Sequence, residues 1–90
     1  MDISLELLDE DVKSPHTDDL FNLDTVFNLD FFKPSQKLVG LVHLNGKAIF
    51  FVVFLQDNNG FIGTENFTEK IVVMNTIINY IRLYIMNEDD

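Results

Sequence analysis

Fifteen acidic side chains against six basic ones make carboxylate the commonest reactive group in this 90-residue chain, and its distribution is uneven. Through Phe32 nine acids (Asp2, Glu6, Asp9, Glu10, Asp11, Asp18, Asp19, Asp24, Asp30) stand against Lys13 and net −8, residues 33–87 net +2, and Glu88, Asp89 and Asp90 add −3, for a total of −9. Carboxylates can hold metal ions, move protons or imitate phosphates. The turn DNNGFI tests the first use. With Gly60 at position 6 of a calcium loop, Leu55 falls at position 1 and Asn66 at position 12, where an Asp and a bidentate Glu are needed, so no metal site is expected. The second use needs partners. His16 and His43 are isolated, Ser4, Ser14 and Ser35 stand in no nucleophile context, Cys is absent, and no glycine-rich phosphate loop occurs. The chain therefore reads as a binding protein rather than an enzyme, with no catalytic residue and no cofactor.

The third use fits the spacing. On an extended strand, residues of one face repeat about every 6.7 Å, and duplex DNA carries a phosphate about every 3.4 Å along each strand. Asp24 and Asp30, with Asn28 between them, form a row commensurate with a phosphate backbone, and Asp18 and Asp19 extend it. Such a surface repels nucleic acid and attracts a protein with a basic DNA-binding groove, through an attraction that salt screens.

The elements that must position this row form one domain, divided into an acidic segment 1–32, a scaffold 33–87 and an acidic tail 88–90. Residues 2–8 alternate, with Ile3, Leu5 and Leu7 against Asp2, Ser4 and Glu6, and predict a short edge strand. Residues 9–19, with Ser14, Pro15 and Thr17, predict a loop. FNLD occurs at 21–24 and again at 27–30. Six helical steps of about 100° carry the second copy to another face, whereas an even offset keeps both copies on one face of a strand. Thr17 followed by Asp18 and Asp19 nevertheless makes a good helix start. The combined expectation is a short helix near 18–24, then a strand near 26–32.

KLVGLVHL, Asn45-Gly46, AIFFVVFL, a second turn at 57–60, and FIG read as an antiparallel meander from Lys37 to Gly63. Asn-Gly matches a type I′ turn, which sets Leu44 opposite Lys47, Val42 opposite Ile49 and Gly40 opposite Phe51, with the aromatic ring over the bare glycine backbone. The run 48–55 is uninterruptedly apolar and predicts a central strand covered on both faces.

Asn66 with Glu69 three residues on predicts a capping box for a helix 67–87. Phe67, Ile71, Met74, Ile78, Ile81 and Ile85 would form its buried stripe, widened by Val73, Ile77, Tyr80 and Tyr84, with Asn75, Asn79, Arg82 and Met86 opposite. The alternative makes 70–74 a strand and starts the helix near Asn75. The fold class is thus α+β: an antiparallel meander of four to five strands with a C-terminal helix on one face and a short N-terminal helix. The other face, around Val39, Leu41, Phe50 and Val52, is closed by the acidic segment or left for a partner, and a homodimer is one way to cover it.

Two segments carry a family likeness, VVFLQDNNG (Val52 to Gly60) and VMNTIINYI (Val73 to Ile81). With them the chain resembles, over about a third of its length, the small acidic uracil-DNA glycosylase inhibitors of phages and mobile elements. The resemblance implies an acidic edge that imitates phosphates and an apolar cavity that encloses the enzyme's DNA-intercalating side chain. Neither segment carries the acidic contacts, so no functional residue transfers.

The leading expectation is a DNA mimic that occupies a glycosylase groove, with Asp18, Asp19, Asp24, Asn28, Asp30, Val39, Leu41, Phe50 and Val52 as partner-binding residues. An inhibitor or adaptor that binds a nuclease, CRISPR or restriction component through the apolar face, and a structural homodimer, are the alternatives. MDISLELLDED has acid where a secretion leader needs base, and no apolar run approaches the roughly 20 residues of a membrane span. No membrane contact is expected, and the setting is the cytoplasm, the host's where the chain is phage-encoded.

Overall fold

The computed structural model describes residues 2–9, 21–22, 37–55 and 59–85. Among these residues five strands form one antiparallel sheet: β1 (Ile3–Leu7), β2 (Phe21–Asn22), β3 (Lys37–Leu44), β4 (Lys47–Phe54) and β5 (Asn59–Ile62), in the order β1-β3-β4-β5-β2. Helix α1 (Phe67–Tyr80) follows and runs on into a π-helical turn, Ile81–Ile85. The class is α+β, an antiparallel sheet with a C-terminal helix.

Asn45 and Gly46 both adopt positive φ, 51° and 85°, as a type I′ turn requires. The register is the one their sequence predicts, with Leu44 facing Lys47, Val42 facing Ile49 and Gly40 facing Phe51. The same turn anchors the first strand: Asn45 N–H donates to the Asp2 carbonyl at 3.0 Å, and Asp2 N–H donates to Asn45 Oδ1 at 3.1 Å. A Cβ at Gly40 would lie 2.8 Å from the Phe51 ring and against the Glu6 carbonyl, so the bare glycine lets β1 and the ring of β4 close on it from two sides.

Two expectations need correction. In place of helix at 21 and 22 there is a strand, Phe21 pairing with Gly60 and Asn22 with Asn59. The alternation of FNL outweighs the helix-start signal because β5 offers an edge that completes the backbone hydrogen bonds. The rest of that predicted helix, the strand near 26–32 and the loop 10–19 lie outside the described residues. Asn59 and Gly60, read as turn, belong to β5, where Gly60 fits because a Cβ there would meet the Val52 carbonyl.

The helix covers one sheet face. Leu38, Val42, Leu44, Ile49, Phe51, Val53, Leu55 and Ile62 pack beneath Val73, Met74, Ile77, Ile78 and Ile81. Residues 70–74 are helix, not strand. The buried arc is rotated from the predicted one: Val73 and Ile77 are fully buried, whereas Ile71 and Phe67 are exposed. Glu69, one turn before the buried Val73, has its carboxylate held by Lys47 Nζ at 2.9 Å and Thr64 Oγ1 at 2.6 Å. Ile71, two residues further on, points about 200° away round the helix and so turns outward.

Gly40→Ala is expected to destabilise the protein by about 1–3 kcal/mol, the usual cost of overpacking. Urea unfolding followed by circular dichroism measures it, and a cost near zero would show that Phe51 and β1 do not close on this backbone.

Candidate functional site

The sequence expectations concern two surfaces, the sheet face turned away from α1 and the acidic segment. On the face, register brings the four named apolar residues together as two adjacent cross-strand pairs, Val39 with Val52 and Leu41 with Phe50. They differ in access. Val39 is 1% exposed and Val52 0%, and neither belongs to the helix-side core. Leu41 and Phe50 are half-buried. A partner on this face would therefore touch Leu41 and Phe50 and find no surface on the two valines. Phe61, opposite Val52 on β5, was not anticipated. Its ring packs tilted against Phe50, centroids 6.3 Å apart at 51°, and extends the half-buried apolar rim. The signal was available in the phenylalanine that follows the second turn.

Asp18, Asp19, Asp24, Asn28 and Asp30 lie outside the described residues, as does His16. What the structure does place is the origin of that segment. The acidic third supplies β1 at one edge of the sheet and β2 at the other, with the meander from Lys37 between them. On β1 and beside it Asp2, Glu6 and Asp9 are exposed. Glu6 reaches across to β3, where its Oε1 lies 2.9 Å from His43 Nε2, both side chains about half in solvent. His43 stands opposite Ala48, as its strand position predicts.

Among the described residues no ionisable side chain is buried, and no group of three or more His, Cys, Asp or Glu could hold a metal ion. No described helix is long and apolar enough to cross a membrane.

Electrostatics is most specific at the start of α1. Glu69 N–H donates to Asn66 Oδ1 at 3.0 Å, the first half of the expected capping box. The second half is relayed. Asn66 N–H donates to Thr64 Oγ1 at 3.2 Å, and that hydroxyl donates to the Glu69 carboxylate. Thr64 thus stands inside the box, which a four-residue motif does not reveal. Its hydroxyl first, and then the Lys47 ammonium, hold the Glu69 carboxyl below the ordinary carboxylate range. Asn66 heads the sequon Asn-Phe-Thr, but its side chain is engaged as this cap.

No family model, curated protein or solved structure matches the chain.

A depressed carboxyl pKa adds stability above its unfolded value and loses it as pH falls through the folded one. Glu69→Gln is accordingly expected to lower Tm at pH 7, with the difference shrinking as pH falls below about 4, where the unfolded carboxyl protonates, and vanishing once the folded carboxyl is protonated as well. Thermal melts at both pH values check this. A pH-independent difference would mean the charge of Glu69 contributes nothing.

Proposed function

We propose that this protein is an acidic DNA mimic that occupies the DNA-binding groove of a basic enzyme, with uracil-DNA glycosylase as the first target to test. The observation that carries the reading is the placement of charge. A net −8 is concentrated in residues 1–32, the segment that supplies both outer strands of the sheet, around a central scaffold of net +2. An acidic rim on a rigid sheet suits a groove lined with Arg and Lys, because its charges steer encounter and compete for the same cations that hold phosphates. Asp24, Asn28 and Asp30, with Asp18 and Asp19, are the residues assigned to this contact. Leu41 and Phe50, at the half-buried rim of the apolar face, are placed to add a desolvated anchor beside the charge. The enzyme would be met in the cytoplasm, where DNA is processed.

The test is inhibition of uracil excision from a DNA duplex by purified glycosylase. The protein is expected to inhibit stoichiometrically, to be displaced as salt rises, and to lose at least about tenfold in affinity on Asp24→Lys with Asp30→Lys. Inhibition untouched by the double reversal would overturn the mimicry. If the glycosylase is not inhibited at all, capture from a bacterial lysate with a salt-wash series extends the search to other DNA-binding enzymes. A captured enzyme that ignores both salt and competing DNA would favour binding through the Leu41–Phe50–Phe61 rim.

A further inference from the structure

Among the described residues, β1 ends the sheet and no strand pairs with its outer edge. Its bonds to β3 run through alternate residues: Asn45 N–H donates to the Asp2 carbonyl, and Leu8 N–H to the Val39 carbonyl at 2.7 Å. Antiparallel alternation then directs the N–H and C=O groups of Ile3, Leu5 and Leu7 away from β3, along the outer edge. Ile3 is 38% exposed and Leu7 44%, while Leu5 between them packs on the core. An open edge with apolar side chains is a template for another strand.

The occupant that fits is a second copy of the same strand, and we propose that the protein self-associates by antiparallel β1–β1 pairing about a two-fold axis at Leu5. In that register Ile3 faces Leu7 of the second copy, Leu5 faces Leu5, and Leu7 faces Ile3. Both exposed apolar side chains gain a cross-strand partner, and all the outward backbone groups of the strand are paired. On the other face Ser4 meets Glu6, and Glu6 meets Ser4. Acids choose this register. A slip of two residues one way sets Asp2 against Glu6 of the second copy, and a slip the other way sets Glu6 against its own counterpart, each placing like charges directly opposite. The sheet then runs unbroken through both copies. The proposal stands apart from the mimicry reading, and its salt dependence is opposite: salt screens repulsion between two chains of like charge and strengthens the dimer, whereas it weakens attraction to a basic groove.

Two five-residue strands bury less than the roughly 1,000 Å² of a stable complex, so the dissociation constant is expected on the order of 100 μM. Sedimentation of the intact chain from about 1 μM to about 1 mM, at low and high salt, measures it over the range of a weak interface. The wild type should pass reversibly from monomer to dimer and do so at lower concentration in high salt. Ile3→Lys with Leu7→Lys places like charges in both outer pairs and should weaken the dimer at least about tenfold. Ile3→Lys with Leu7→Glu makes both pairs opposite and should keep the dimer. Circular dichroism confirms that each variant is folded. A wild type monomeric throughout, as when the edge serves a foreign peptide instead, overturns the proposal. So does a dimer unaffected by the two lysines, or one lost equally in the Lys/Glu variant.

Discussion

The structure depends on burying both faces of one strand. Phe51 and Val52 are consecutive on β4, point to opposite faces, and are both inaccessible to solvent. Each large apolar side chain so buried contributes about 1.5–3 kcal/mol, a sizeable part of the 5–15 kcal/mol typical of a folded domain. A chain of this length has little other core to draw on. The remaining elements follow from that demand. The Asn45–Gly46 turn fixes which residues share a face, the bare Gly40 lets the Phe51 ring lie flat, and α1 supplies the isoleucines that close the side on which Phe51 lies.

A second consequence concerns the surface. With the apolar material spent on the interior, charge is left for the periphery, and the acidic third contributes an outer strand at each edge. The centre of the apolar face, at Val39 and Val52, is closed, and only its rim at Leu41, Phe50 and Phe61 retains partial exposure. The two contacts proposed lie at the edges: an acidic one for a basic partner, and the outer backbone of β1 for a second copy. Their opposite dependence on salt follows from the sign of the charges that meet.

Local signals carried most of the scaffold. Asn-Gly specified the hairpin, the alternation of Ile3, Leu5 and Leu7 an edge strand, and Asn66 with Glu69 the helix start. What failed was non-local. That Phe21 and Asn22 pair with β5 rather than begin a helix depends on an edge formed some forty residues later. The rotation of α1 goes with burial of Val73 and Ile77 on the sheet, and the groups that hold Glu69, Lys47 and Thr64, lie outside the helix. Whether Val39 and Val52 were open was a matter of tertiary burial that alternation alone leaves undecided. At the candidate site, the apolar pairs were legible because the hairpin register sets them opposite one another. The acids were legible only as a composition and a spacing, since charge carries no packing periodicity of its own.

The central claim is that partners are met at the acidic rim and not on the centre of the apolar face. It is tested most directly by nuclear magnetic resonance, with amide shifts of the labelled protein followed as unlabelled uracil-DNA glycosylase is added. The account predicts perturbations along the acidic segment through Asp30, reaching Leu41 and Phe50 at most, with Val39 and Val52 unmoved. Shifts centred on Val39 and Val52, with the acidic segment silent, would contradict it.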